Sequence, residues 1–145
     1  MKLPHDALLV VADGGRMALY RNRGSAFEPD LELIEQEAVE FPRTSEVGAD
    51  RPGRAFESSS SRRSAYEVTD IHDKAEEAFC RTIAERIAIL LPQAKAGLLL
   101  VAAPRALGMI RAQLADDVRA GLLGEVGKDY AGMSPADIGK ALARL

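Results

Sequence analysis

Two short apolar runs constrain the fold of this sequence more than any other feature. The first covers residues 7–12, and the second, GLLLVAA, covers 97–103. Strands that are buried on both faces of a sheet have this continuous apolar pattern. The sequence therefore predicts two strands in the interior of one sheet.

A hairpin is predicted directly after the first run. Residues 16–22 alternate, with Met17 and Leu19 on one face, which is typical of a strand with one covered face. Asp13-Gly14-Gly15 separates the two strands, and tight hairpin turns need positive φ, which glycine adopts readily. A third strand is predicted over 31–41, although its middle, Glu35-Gln36-Glu37, could equally begin a helix.

Helical patterns follow in the second half of the chain. Apolar residues recur every four positions from Ile71 to Ile87, with Thr69 or Asp70 as the cap and Pro92 at the end. The further elements predicted are a helix starting at Pro104, a short helix over 115–120, a strand within 122–130 and a C-terminal helix capped by Ser134.

The predicted fold is a single α/β domain over residues 1–145 in the order β-β-β-α-β-α-β-α. The first three strands would be antiparallel, and the later two would run parallel to the first through right-handed crossovers. This order matches the ribonuclease H-like topology with its mixed sheet. Residues 42–68 are rich in Pro, Gly and Ser and are predicted to form a long flexible loop.

Composition excludes several classes of protein. The net charge of −3 indicates that any basic surface is local, and the lone Cys80, interpreted as an inert buried thiol, cannot form an internal disulfide. No apolar run approaches the ~20 residues of a membrane helix. The sequence predicts a soluble, cytoplasmic protein that has no membrane partner and needs no cofactor.

Asp13 raises the question of catalysis, because ribonuclease H-like enzymes hold metal at the end of their first strand. Such a site needs several converging carboxylates. Glu76 or Glu77 could supply one, but the fourth strand ends without an acid, at Ala102-Ala103-Pro104. We therefore interpret Asp13 as a turn residue and expect neither a metal site nor catalysis; a divergent metal-dependent phosphodiesterase is the alternative.

Two further groups have competing interpretations. Asp70, His72 and Asp73 could contribute ligands to a metal, but helix capping is favoured. Arg105, next to Pro104, could bind an anion at a helix N-terminus. We favour a structural interpretation, in which Pro104 starts the helix and Gly108 lets it pack closely on the sheet.

The predicted loop contains the best binding candidates. Arg62 and Arg63 lie beside serines, including Ser64, and could contact phosphates, while Tyr66 could stack on a base. Arg51 and Arg54 are further basic candidates in the same loop. The alternative is a surface loop without a ligand.

Five segments of the chain, taken in order, resemble the bacterial host-attachment protein family. Three motifs are the most specific: V-A-D-G-x-R with Asp13, Gly14 and Arg16; D-x-H-x-x-x-E-x-x-F with Asp70, His72, Glu76 and Phe79; and A-P-R-x-L-G with Pro104, Arg105 and Gly108. That family resembles the middle domain of archaeal and eukaryotic class I release factors, which has a ribonuclease H-like core.

The resemblance implies a module that faces RNA or the ribosome. The Gly-Gly-Gln tripeptide with which release factors trigger peptide release is absent from this chain. We therefore expect a non-catalytic binding module related to translation, with the ribosome or RNA as its partner. The alternative is a regulatory module that affects bacterial attachment through a protein partner.

Overall fold

The computed structural model describes the backbone of residues 2–39 and 58–145, and the side chains of residues 2–39 and 71–145. The strands are β1 (Leu8–Ala12), β2 (Arg16–Asn22), β3 (Leu31–Ala38), β4 (Leu98–Ala102) and β5 (Gly124–Gly127). The helices are α1 (Ser58–Leu90), α2 (Pro104–Gln113), α3 (Asp116–Gly121) and α4 (Pro135–Ala143), with a 3-10 turn at Leu91–Gln93. These elements form a single α/β domain.

The five strands form one mixed sheet in the order β3-β2-β1-β4-β5. β1 pairs with β2, and β2 with β3, in antiparallel fashion, whereas β1 pairs with β4, and β4 with β5, in parallel. Short links allow antiparallel neighbours, and the helical crossovers allow parallel ones. The predicted directions of all five strands are confirmed.

Helices cover both faces of the sheet, which explains why all residues of β1 and β4 are buried. One face packs against α1 and α2; its core includes Val10, Leu100, Phe79, Ile83 and Ile110. The other face packs against α4; its core includes Leu9, Val11, Leu99, Ile138 and Leu142. The prediction that β2 has one covered face was wrong, because Tyr20 and Asn22 are also buried.

The start of α1 corrects the largest error of the sequence interpretation. The helix begins at Ser58, not at a cap formed by Thr69 or Asp70, so residues 58–68 of the predicted loop are helical. Four consecutive serines indicated a loop, but no proline or glycine interrupts residues 54–91, and a helix, once nucleated, propagates cooperatively. Residues 42–57 lie outside the described part of the chain.

The predicted helix boundaries near proline and serine are confirmed. α1 ends at Leu90, immediately before the 3-10 turn that contains Pro92, and Pro104 occupies the first turn of α2. The Ser134 hydroxyl accepts a hydrogen bond from the Asp137 N–H at 3.2 Å, as expected for an N-cap. β3 ends at Ala38, so the prediction that it reaches Phe41 extends beyond the described residues.

In the part of the chain that the structure describes, no helix combines the length and the apolar character needed to cross a membrane.

Candidate functional site

Asp13 organises the turn between β1 and β2. Its Oδ1 accepts hydrogen bonds from the N–H groups of Gly15 and Arg16, at 2.8 and 2.7 Å. Its Oδ2 accepts from Nε and Nη2 of Arg16, at 3.0 and 2.8 Å. A carboxylate has about four lone-pair sites. All of them are engaged here, so Asp13 could bind a cation only by giving up hydrogen bonds of the turn.

The glycines of this turn have a different role from the one expected. Gly97 is the only glycine of the described residues with positive φ, so neither Gly14 nor Gly15 adopts the conformation that was predicted. A Cβ on Gly14 would instead lie 3.2 Å from Cδ of Glu76 on α1. Gly14 therefore leaves room for the Glu76 side chain beside the turn.

Arg105 links the start of α2 to α1. Its Nη2 donates a hydrogen bond to Oδ1 of Asp73 at 2.7 Å, and its Nε lies 3.2 Å from Oε2 of Glu76. The guanidinium therefore bridges two carboxylates that are three residues apart on one helix. The Arg105 side chain is 64% exposed, so the ion pairs are screened by water and contribute little to stability.

These groups meet near the carboxyl ends of β1 and β4, where open α/β sheets commonly bind ligands. Asp13, Asp73 and Glu76 are each paired with an arginine. In the described part of the chain, no three His, Cys, Asp or Glu side chains lie close enough together to hold a metal ion. In this arrangement the three carboxylates form ion pairs with arginines, whereas two-metal hydrolysis needs carboxylates to ligate cations.

Cys80 lies on α1 beneath this cluster. Burial, followed by the negative charges of Glu76 and Asp13, raises the pKa of its thiol to about 11. The thiol therefore stays protonated near neutral pH and is a poor nucleophile. Its predicted burial is confirmed.

The other residues singled out from the sequence occupy different surroundings. Arg51 and Arg54 lie outside the described residues. Arg62, Arg63, Ser64, Tyr66 and Asp70 belong to α1, but the structure does not describe their side chains. His72 is partly buried on the same helix, and Phe79 belongs to the core.

Gly108 does not have the predicted packing role. It is exposed, and a Cβ on it would meet no atom within 4 Å. The prediction that it lets α2 approach the sheet was therefore wrong, and the structure gives no packing reason for a glycine there.

The structure brings together parts of three separate sequence motifs. Asp13, Gly14 and Arg16 come from the first, Glu76 from the second, and Arg105 from the third. The sequence interpretation treated them separately and left Asp73 out of its preferred site. The sequence did contain one signal. Asp73 and Glu76 continue the three- and four-residue spacing of the buried positions Cys80, Ile83 and Ile87. Acidic residues on the buried face of a helix indicate that this part of the face contacts a polar partner and not the apolar core.

Comparison with known families gives a match over most of the chain. The family model described as "Protein required for attachment to host cells" matches residues 8–142, from the first residue of β1 to the last turn of α4. No curated protein matches the chain with significant similarity.

Proposed function

Because the chain belongs to the family of proteins required for attachment to host cells, we propose that it is a non-catalytic binding module that associates with RNA or the ribosome. The observation that carries the non-catalytic part is the pairing of Asp13 with Arg16 and of Asp73 and Glu76 with Arg105. A hydrolase that uses these acids to hold cations would first have to displace both guanidinium groups.

The fold supports the second part of the proposal. The sheet order β3-β2-β1-β4-β5, with its antiparallel first half, agrees with the ribonuclease H-like topology expected from the resemblance to release-factor middle domains. We assign the chain to that topology as part of the proposal. In this assignment the release chemistry is missing because Gly-Gly-Gln is absent.

The first part of α1 is the proposed contact with RNA. Positions 62 and 63 precede position 66 by four and three residues in a continuous helix, so position 66 is a neighbour of both on the helix surface. Two arginines and a tyrosine on one helix face would provide phosphate contacts and a surface for base stacking. Ser64, Arg51 and Arg54 complete the proposed set.

Co-sedimentation with purified bacterial ribosomes tests this proposal. The wild type is compared with Arg62→Glu/Arg63→Glu at a series of salt concentrations. Each phosphate contact contributes about 0.7–0.9 to the slope of log K against log salt. We expect the double variant to bind more weakly and to lose about 1.4–1.8 from that slope.

A charge-matched control separates a specific contact from the effect of net charge. Lys128 and Arg144 are exposed and distant in sequence from α1, and Lys128→Glu/Arg144→Glu changes the net charge equally. Retained binding in this control supports a contact on α1. Equal loss in both double variants contradicts it, and a wild type that stays in the supernatant favours the protein-partner alternative.

A further inference from the structure

A polar cavity of about 390 Å³ opens at the end of the sheet opposite Asp13. Its lining includes His5 and Asp6 before β1, Arg21 on β2, and Gln93, Lys95 and Ala96 between α1 and β4. Arg21 pairs with Leu8, the first residue of β1. Asp13 directly follows Ala12, the last residue of the same strand. At ~3.3 Å per residue, Leu8 and Asp13 are roughly 16 Å apart along the strand, so this cavity is separate from the site described above.

Arg21 is the unusual group in this cavity. Its Nε, like Nε of Arg86, is buried and has no hydrogen-bond partner among the described residues. Unlike Arg86, which pairs with Glu35, Arg21 has no described carboxylate within 4 Å of its guanidinium. Six other arginines of the described chain form ion pairs: Arg16, Arg23, Arg86, Arg105, Arg111 and Arg119. Arg81 and Arg144 form none with a described residue, but both are exposed to water. A buried donor without an acceptor is costly, and more so when it is charged. The Arg21 residue also lines the cavity, so the cavity is bordered by a guanidinium that forms no ion pair with a described carboxylate.

The nearest carboxylates are engaged with another arginine. Glu32, the register partner of Arg21 on β3, accepts a hydrogen bond from Nε of Arg23 at 2.8 Å. Oδ1 of Asp6 lies 3.7 Å from Nη1 of the same Arg23. Arg23 therefore neutralises both acids in part. Glu32 also attracts the charge of Arg21, but it forms no ion pair with it within 4 Å.

Lys95 and His5 also border the cavity. Lys95 is exposed, so its ammonium can move toward a ligand without a large conformational change. His5 donates from Nδ1 to the carbonyl of Gly24 at 2.8 Å, which orients its ring at the rim. With Arg21 and Lys95 charged and Asp6 as the single acid of the lining, the cavity carries a net positive charge.

We propose that this cavity binds the phosphate group of a small phosphorylated ligand, with Arg21 as the main donor and Lys95 as a second cation. A guanidinium offers several N–H donors in a planar fork that matches the oxygens of phosphate. The cavity volume is within the range of small-molecule sites. This proposal is independent of the proposed RNA contact, because that contact lies on the first turns of α1.

Titration of the ¹⁵N-labelled protein with inorganic phosphate at constant ionic strength tests the proposal. We expect saturable shifts of the Arg21 Nε–H signal and of the amides of Lys95 and Ala96. Chloride should give none of these shifts. Non-saturable shifts, or equal shifts with chloride, would overturn the proposal.

Two variants assign the binding to the named groups. Arg21→Gln should weaken phosphate binding by about tenfold or more, the loss expected for a charge-assisted hydrogen bond. Lys95→Gln is at an exposed position and should fold normally, so it tests the cavity even if Arg21→Gln does not fold; we expect a weakening of about threefold. Arg144→Gln, at a distant exposed position, is the control. Wild-type affinity in both cavity variants contradicts the proposal.

A single-stranded RNA oligonucleotide without a terminal phosphate distinguishes the source of the phosphate. If the oligonucleotide shifts the amide signals of Lys95 and Ala96 and inorganic phosphate does not, the cavity is part of a nucleic-acid interface, and the small-ligand proposal is wrong. Shifts with inorganic phosphate but not with the oligonucleotide support it.

Discussion

The turn at Asp13 gives a quantitative test of whether this acid is structural. Asp13→Ala removes the acceptor of two backbone N–H groups, at Gly15 and Arg16, together with the ion pair to the Arg16 side chain. Loss of a side-chain acceptor for backbone N–H groups costs about 1 kcal/mol, and the partly buried N–H of Gly15, left without an acceptor, adds about 1–2 kcal/mol. We expect a loss of about 2–3 kcal/mol in the free energy of unfolding, or roughly 4–12 °C in Tm.

Asp13→Asn separates the turn from the ion pair. Its side-chain oxygen can still accept from the backbone, and only the pair with Arg16, whose side chain is 54% exposed, is lost. An exposed pair is worth about 1 kcal/mol or less, so the asparagine variant should lie close to the wild type. Urea unfolding of both variants, with the exposed Asp129→Ala as control, measures the difference. Equal loss in the two Asp13 variants would refute the capping argument, and so would no loss in Asp13→Ala.

Three other substitutions test local features. Gly108→Ala should raise the free energy of unfolding by about 1 kcal/mol in a denaturant titration, because the position is exposed, helical and open; a loss would reveal an unseen contact. Gly97→Ala should lower it by about 1–3 kcal/mol, because φ is +103° and a Cβ would lie 2.6 Å from Cδ2 of Leu123. The hydrogen bond from Arg119 lowers the pKa of Glu125. The stabilisation by this pair is therefore present above the unfolded pKa and is lost as pH falls through the lower folded pKa. Wild type and Glu125→Gln should therefore converge in stability as the pH is lowered below the ordinary glutamate pKa of 4.5; a constant difference would contradict this.

Local signals were sufficient to predict most elements. The apolar runs of β1 and β4, Pro104 at the start of α2 and Ser134 at the cap of α4 each determine a feature through steric or hydrogen-bonding preferences of a few residues. The start of α1 at Ser58 was missed because serine is a weak signal in both directions. The continuity of the helix depends on its length and on the absence of a breaking residue.

The site was harder to predict because it depends on three long-range relations. The parallel register that pairs Ala12 with Ala102 brings the end of β1 and the start of α2 to the same edge of the sheet. The buried stripe of α1 then sets the helix phase that directs Glu76 toward Gly14 and Arg105. The sequence indicates each strand end and the stripe separately, but the ion pairs appear only once the helix and the sheet are packed together.

The pairing of the arginines determines where the described surface can bind an anion. A phosphate that contacts Arg105 must compete with Asp73 and Glu76, and one that contacts Arg16 must compete with Asp13. Phosphate bound to either arginine would therefore leave a carboxylate without its cationic partner. Arg21 involves no such exchange, because its guanidinium has no carboxylate within ion-pair distance among the described residues and its buried Nε has no acceptor. The carboxyl edge of the parallel strands is therefore the weaker anion site, and phosphate should perturb the Arg21 signal at lower concentrations than the Arg16 and Arg105 signals.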